Sequence, residues 1–287
     1  MSVTIGFIGA GQLGEPMVRR LLDAGNQVLV YARRAEVRER LANRGAALAD
    51  SVSELSGRSD ILISCLFSDA QLRDVGWGPD GLAAAAKPGT VFVSHTTGEV
   101  AMLAELAALA PNLAVVDAPV SGTAEDIAAG TLTVLIGGPD DAVQRAQAVL
   151  TAYASPIIAT GELGTALHLK LVNNLLFAAN AQLVVSAAHF GQQLGIDSQR
   201  VLDVIGRCSA ASTASLHIQR IGGPQAFEAG AAPFLRKDIA ACLVAAEAVG
   251  ADLGFLGLVV EGGPLSLTSL RHEGATQSRR TAAQNGR

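Results

Sequence analysis

Residues 3–25, VTIGFIGAGQLGEPMVRRLLDAG, pass from a strand-like apolar run through three spaced glycines directly into helical spacing that ends at Gly25. A strand, a tight turn and a helix in that order begin a βαβ unit, which closes into a parallel sheet with its crossover helix on one face. The chain then repeats the pattern. QVLVYA is the next strand and AEVRERLANRG a charged helix; DILISCLF, TVFVSHT, LAVVDAPV, LTVLIGG and PIIAT are further strands. Helical segments near 70–75, 99–109 and 140–153 separate most of them. The alternation predicts an α/β fold, a doubly wound parallel sheet with helices on both faces.

Past Gly164 the strand signals stop. Residues 165–195 read as one helix of about 30 residues, close to 45 Å at the helical rise, and further helices are expected near 198–207, 212–221 and 235–250. The expected organisation is a sheet domain over 1–163, an all-α domain over 164–271 entered by the long helix, and a polar, disordered tail over 272–287. No internal repeat is visible.

The segment Leu171–Ile196 contains no Asp, Glu, Lys or Arg, which raises the question of a membrane span. It also holds Asn173, Asn174, Asn180, Gln182, His189, Gln192 and Gln193, so a buried helix of a soluble protein is the expectation. Being apolar on more than one face, it needs covering on both sides, which points to a homodimer or homotetramer. The net charge of −5 and the absence of a basic face argue against nucleic acid as a partner. Cys65, Cys208 and Cys242 lie far apart with no metal-like spacing, and the chain opens on a strand rather than a leader; a reduced, cytoplasmic protein is expected.

The loop Gly9–Ala10–Gly11–Gln12–Leu13–Gly14 is a G-x-G-x-x-G between a strand and a helix. In that context Gly9 permits the turn, Gly11 lets a pyrophosphate approach the backbone, and Gly14 lets helix and strand pack closely. The phosphates would meet free N–H groups at a helix N-terminus. At the end of the second strand, VLVYARRAE has no acid at Tyr31, Ala32 or Arg33 to hold a ribose 2′-hydroxyl. Arg33 and Arg34 suit a 2′-phosphate instead, which favours NADP over NAD; the alternative is two solvated arginines with Glu36 on the ribose.

Four motifs, GFIGAGQLGEPM, DAPVSGT, GELGTALHLKLVNN and RKDIAACLVAAEAVG, stand in an order and spacing that resemble the β-hydroxyacid dehydrogenase family, over about residues 3–250. That family includes 3-hydroxyisobutyrate dehydrogenases and the glyoxylate and succinic semialdehyde reductases; the Thr of SGT is similar to the semialdehyde-reductase branch. The resemblance implies a Rossmann domain, a long inter-domain helix and an all-helical second domain. It implies Lys170 as the catalytic lysine, Ser121, Gly122 and Thr123 as the loop holding a substrate carboxylate, and Asn174 as the amide beside the lysine. It further implies Leu66 and Phe67 over the adenosine, Thr96 and Thr97 near the nicotinamide ribose, and Lys237, followed by Asp238, near the cofactor. The chain departs from the family at SHTT, where Ser94 replaces an acid and His95 is unexpected, at Ala32, where relatives carry Asn, and beyond about Gly250, where the final helix is poorly represented.

The residues suit the implied chemistry. Reducing a carbonyl needs a hydride at carbon and a proton at oxygen, and a lysine whose pKa is lowered by burial can exchange that proton near neutrality. Lys170 and Asn174 are i and i+4, on one helix face; Asn173 is adjacent at i+3 and could touch substrate or join helices. Ser121, Gly122 and Thr123 follow a strand, at the sheet edge where α/β proteins bind ligands, and the N–H groups of Gly122 and Thr123 with the Ser121 hydroxyl could cradle a carboxylate. His95, His168 and His189 read as structural or surface residues, and no metal site is expected. The expected activity is NADP(H)-dependent oxidoreduction of small β-hydroxy acids or semialdehydes. An imine reductase on the same scaffold is the alternative, disfavoured by Lys170, as is a non-catalytic NADP-binding sensor.

Overall fold

A computed structural model describes residues 3–268; the tail at 272–287 lies outside the described residues. The chain forms two compact units, Met1–Lys170 and Leu171–Arg287.

In the first unit six strands lie parallel: β1 (Thr4–Ile8), β2 (Gln27–Tyr31), β3 (Ala47–Leu48), β4 (Ile61–Ser64), β5 (Thr90–Ser94) and β6 (Leu113–Asp117), in the spatial order β3-β2-β1-β4-β5-β6. The order reverses between β1 and β4, the crevice where open α/β sheets take ligands. The sheet continues through β8 (Leu132–Gly137), which is antiparallel to both β6 and β7 (Val120–Ser121) and parallel to β9 (Ala154–Gly161). This is the one departure from an all-parallel sheet. Only residues 122–131 link β7 to β8, short of the dozen or so a parallel crossover needs.

The connections carry α1 (Gly14–Asp23), α2 (Ala35–Ala42), α3 (Val52–Arg58), α4 (Asp69–Gly76), α5 (Leu82–Ala85), α6 (Val100–Leu109), α7 (Ala124–Ala129) and α8 (Asp140–Leu150). The sequence reading missed α3, α5 and α7, although α3 starts at Ser51, whose hydroxyl accepts from Glu54 N, and α7 at a Thr123–Asp126 capping box. Side chains on the two sheet faces form separate apolar layers. Ile5, Phe7, Ile63 and Val93 pack with Met17, Val18 and Leu21 on one side, while Ile8, Leu62, Phe92 and Val115 pack with Leu55, Leu72 and Leu106 on the other. Burial on both faces makes the strands read as unbroken apolar runs.

The helix α9 (Thr165–Gln193) starts in the first unit and runs through the second, with α10 (Ser198–Ile205), α11 (Thr213–Arg220), α12 (Pro224–Gly230), α13 (Ala232–Val249) and α14 (Gly254–Gly262) following. Of these, α12 and α14 were not read from the sequence. By length and composition α9 could cross a membrane. In the second unit it instead buries Leu171, Leu175, Ala178, Ala179 and Val185 against Leu202, Ile218, Phe227, Leu235 and Val260. The fully buried Gln182 donates to Val260 O and Leu265 O (2.8 and 2.9 Å) and accepts from Leu265 N (2.7 Å). Elsewhere on its surface α9 leaves Val172, Leu176, Leu183 and Phe190 exposed.

Candidate active site

One register row runs across the sheet at its carboxyl edge: Tyr31, Ile8, Ser64, Ser94 and Asp117. The segments just past it are Gly9–Gly14, Ala32–Arg34, Leu66–Phe67, Thr96–Thr97 and Ala118–Thr123, so the topology brings every first-unit segment singled out from sequence, Lys170 aside, to one edge.

Gly9 has φ +93°, and a Cβ there would fall 2.3 Å from Cys65 O; one at Gly14 would fall 2.1 Å from Gly9 O. The protein's own packing thus requires both glycines. A Cβ at Gly11 would meet nothing closer than Gly9 O at 4.0 Å, so the space beside it is open for a ligand. Ala10 is buried, Leu13 half-buried and Gln12 exposed. In the first turn of α1, Glu15 would repel a bound pyrophosphate. Its carboxylate is paired with Arg19 and, through Nε and Nη2 at 3.1 and 2.8 Å, with Arg40; the Arg40 bonds are the larger reason its pKa lies below the ordinary range.

Past β2, Arg33 and Arg34 are exposed, and Arg34 Nε stands 3.9 Å from Glu36 Oε1 in a solvated pair of little strength. Leu66 is half-buried. Phe67 is exposed, and its N–H donates to Gln71 Oε1 (3.1 Å). Past β5, Thr96 is buried, and its hydroxyl, like those of Ser64 and Ser94, has no hydrogen-bond partner among the described residues; Thr97 is half-buried. Asp69, at the start of α4, accepts from Glu99 N (2.9 Å) and holds the far end of this loop.

Past β6, Ser121 and Gly122 are exposed, and Gly122 has φ +142°. Thr123 gives a correction. Its N–H and hydroxyl both donate to Asp126 Oδ2 (2.7 and 2.9 Å) in the capping box of α7. The expected carboxylate cradle therefore loses the Thr123 N–H; the Ser121 hydroxyl and Gly122 N–H stand outside that box.

The residue that organises this region was not singled out from the sequence. Asp117, fully buried, accepts from Gly164 N (2.9 Å) and Leu167 N (2.8 Å), capping the helix that carries Lys170 one turn further on. Burial pushes its carboxyl pKa up, and these N–H bonds pull it back. A negative charge at a helix N-terminus is itself favourable. The neighbouring strand makes room: a Cβ at Gly137 would lie 2.7 Å from Asp117 Oδ1. Lys170 is half-buried rather than enclosed.

In the second unit Asn174 is buried, donating to Asp238 Oδ2 (2.8 Å) and accepting from Asn173 Nδ2 (3.0 Å). Lys237 Nζ lies 3.4 Å from Asp238 Oδ1. The exposed Asn173 thus orients Asn174, and both ends of the Asn174 amide are held by the protein before any substrate arrives.

The sequence model of the NAD binding domain of 6-phosphogluconate dehydrogenase matches residues 4–161, and that of the NAD-binding domain of NADP-dependent 3-hydroxyisobutyrate dehydrogenase matches residues 164–269. An uncharacterized oxidoreductase of Bacillus subtilis is 30% identical over 90% of this chain and 91% of its own length. The 2-(hydroxymethyl)glutarate dehydrogenase of Eubacterium barkeri is 33% identical over 74% of this chain and 71% of its own. Among solved structures, the Mycobacterium tuberculosis 3-hydroxyisobutyrate dehydrogenase with L-serine superposes with a TM-score of 0.79 at 29% identity, covering 91% of this chain and 92% of that one.

Proposed function

Since the chain belongs to the β-hydroxyacid dehydrogenase family of NAD(P)-dependent oxidoreductases, we propose that it interconverts a small carboxylate-bearing aldehyde or ketone and its alcohol, using NADP(H), with Lys170 as general acid and base. The observation that carries this reading is the Asp117 cap. It fixes the first turn of the Lys170 helix to the strand end from which the Ser121–Thr123 loop departs.

The nucleotide edge fits a dinucleotide: open space at Gly11, two obligatory glycines beside it, and a buried Thr96 hydroxyl with no partner among the described residues. Exposed Arg33 and Arg34, with no acid at the β2 end, support a 2′-phosphate and hence NADPH. Bound NADPH supplies the hydride to the carbonyl carbon. Lys170 gives a proton to the carbonyl oxygen in reduction and recovers one from the alcohol in oxidation. Ser121 and the Gly122 N–H hold the carboxylate, and Asn174, pre-oriented by Asn173 and Asp238, donates beside the lysine. Lys237, paired with Asp238, Leu66, Phe67 and Thr97 complete the contacts proposed for cofactor. The exposed apolar face of α9 supports a homodimer.

Mixing the protein with NADPH and glyoxylate, succinic semialdehyde, methylmalonate semialdehyde or a cyclic imine, and following cofactor oxidation, tests the reading. Turnover of an oxo acid is expected. Turnover of the imine alone, or tight NADPH binding with no turnover, would remove it. Equal use of NADH would remove the 2′-phosphate role of Arg33 and Arg34.

A further inference from the structure

His95, the unexpected residue of the SHTT segment, joins the two loops of the nucleotide edge. Its backbone N–H donates to Ser64 O (2.9 Å), tying the end of β5 to β4, and Ala118 N donates to Ser94 O (2.8 Å), pairing β5 and β6 up to this point. Beyond it the backbones part, and the imidazole bridges them. Nδ1 lies 2.6 Å from Ala118 O and Nε2 lies 2.8 Å from the Tyr153 hydroxyl. A carbonyl oxygen only accepts, so Nδ1 carries the proton, Nε2 is the acceptor, and the Tyr153 hydroxyl donates. The two rings also meet edge to face, with centroids 5.9 Å apart.

We propose that His95 is a positioning residue, a fixed imidazole strut braced by Tyr153 that sets the spacing between the Thr96–Thr97 loop and the Ala118–Ser121 loop. The proposal rests on the functional reading above. That reading gives the first loop the nicotinamide ribose and the second the substrate carboxylate, so the strut governs how the reacting carbonyl meets the nicotinamide. Misplacement of about 1 Å at such a junction costs on the order of a hundredfold in rate. Burial pushes the His95 pKa down to about 4 and that of Tyr153 up, so neither group ionises under ordinary conditions; the pair acts by geometry, not by exchanging protons with substrate.

The test compares His95→Leu, His95→Asn and Tyr153→Phe. Asn can keep a donor to Ala118 O, Leu cannot, and Phe keeps the ring but removes the brace. Two readouts are taken: kcat/KM for the oxo acid that the wild type reduces, and the ratio of affinities for NADPH and adenosine 2′,5′-bisphosphate, which lacks the nicotinamide half. His95→Leu is expected to lower kcat/KM tenfold or more, to weaken NADPH severalfold, and to leave the bisphosphate within twofold. His95→Asn should recover most of the loss, and Tyr153→Phe should fall between them. A folded His95→Leu enzyme with wild-type kcat/KM and affinity ratio overturns the strut, and so does an equal loss in Leu and Asn. Should His95→Leu fail to fold, an unchanged Tyr153→Phe enzyme overturns it. Should the wild type reduce no oxo acid, the functional reading falls, and the affinity ratio alone decides the strut.

Discussion

The two units bury polar groups to different ends. In the first, Asp117 and His95 stand at or just past the carboxyl ends of strands, and each ties its loop to a segment distant in sequence: Asp117 to Gly164 and Leu167, His95 to Ala118 and Tyr153. In the second, Gln182 cross-links α9 to the backbone at Val260 and Leu265, and the Asn173–Asn174–Asp238 chain holds the amide proposed to donate to substrate. The first unit also covers most of its apolar surface, whereas the second exposes Val172, Leu176, Leu183 and Phe190 along α9, and Phe255 and Leu258 beyond it. The sheet unit is a finished scaffold whose buried polar atoms aim loops. The helical unit is held by packing and leaves apolar side chains exposed along α9.

The largest expected break in this contrast is Asp117→Ala. It strips two buried N–H groups of a charged acceptor, so a loss of about 4 kcal/mol is expected, read by hydrogen exchange in the 161–170 region. Asp117→Asn, which keeps one acceptor, should cost less while still lowering kcat, because the Lys170 turn loses its fixed start.

A pH series sharpens the role of the first unit's buried groups. Folded His95 has a pKa of about 4 because it is desolvated, against about 6.5 for an unfolded histidine. Between those values the unfolded chain binds a proton that the native chain does not. Stability is therefore complete above pH 6.5 and falls as pH drops toward 4, by about 3 kcal/mol in all. His95→Asn lacks this loss, and because Asp117 and Glu15 titrate in both proteins, the difference between their denaturation curves isolates it. Parallel curves from pH 7 to 4 would contradict the burial of His95.

Gln182→Leu removes the side-chain partners of the buried Val260 O and Leu265 N, and one of two donors to Leu265 O, which keeps the Leu267 N–H. It should destabilise the second unit by about 2 kcal/mol while NADPH affinity stays unchanged. The smallest stability effect belongs to the outer face of α9. Leu183→Glu with Phe190→Glu should shift stability by less than about 0.5 kcal/mol per residue yet convert a dimer to a monomer in sedimentation. A wild-type monomer would remove the contrast in surface coverage.

The sheet was legible because its strands are buried on both faces and its glycine turn is dictated by packing; the turn and close-packing roles read for Gly9 and Gly14 from three spaced glycines between a strand and a helix agree with their geometry. Short helices were not. The signals for α3 and α7 were single caps at Ser51 and Thr123, easily passed over between apolar runs. The Thr123 N–H was credited to a ligand for the same reason: its true partner, Asp126, becomes visible only once α7 is recognised. Asp117 and His95 were illegible in a stronger sense. Asp117 reads as the polar end of a strand and His95 as a structural histidine, since their partners lie at 164, 167 and 153, and no local pattern connects such positions. Asn173, ambiguous by spacing, donates to Asn174 Oδ1, a partner on its own helix that the spacing did not suggest.

Lys170, on the Asp117-capped start of α9, is the proposed acid and base of an NADPH-dependent reduction. Single-turnover oxidation of bound NADPH by an accepted oxo acid, compared between wild type and Lys170→Met, tests it most directly. The account predicts unchanged NADPH affinity and a rate lower by about a hundredfold or more. A Lys170→Met rate within a factor of about three of wild type, outside the range for a lost general acid, would contradict it.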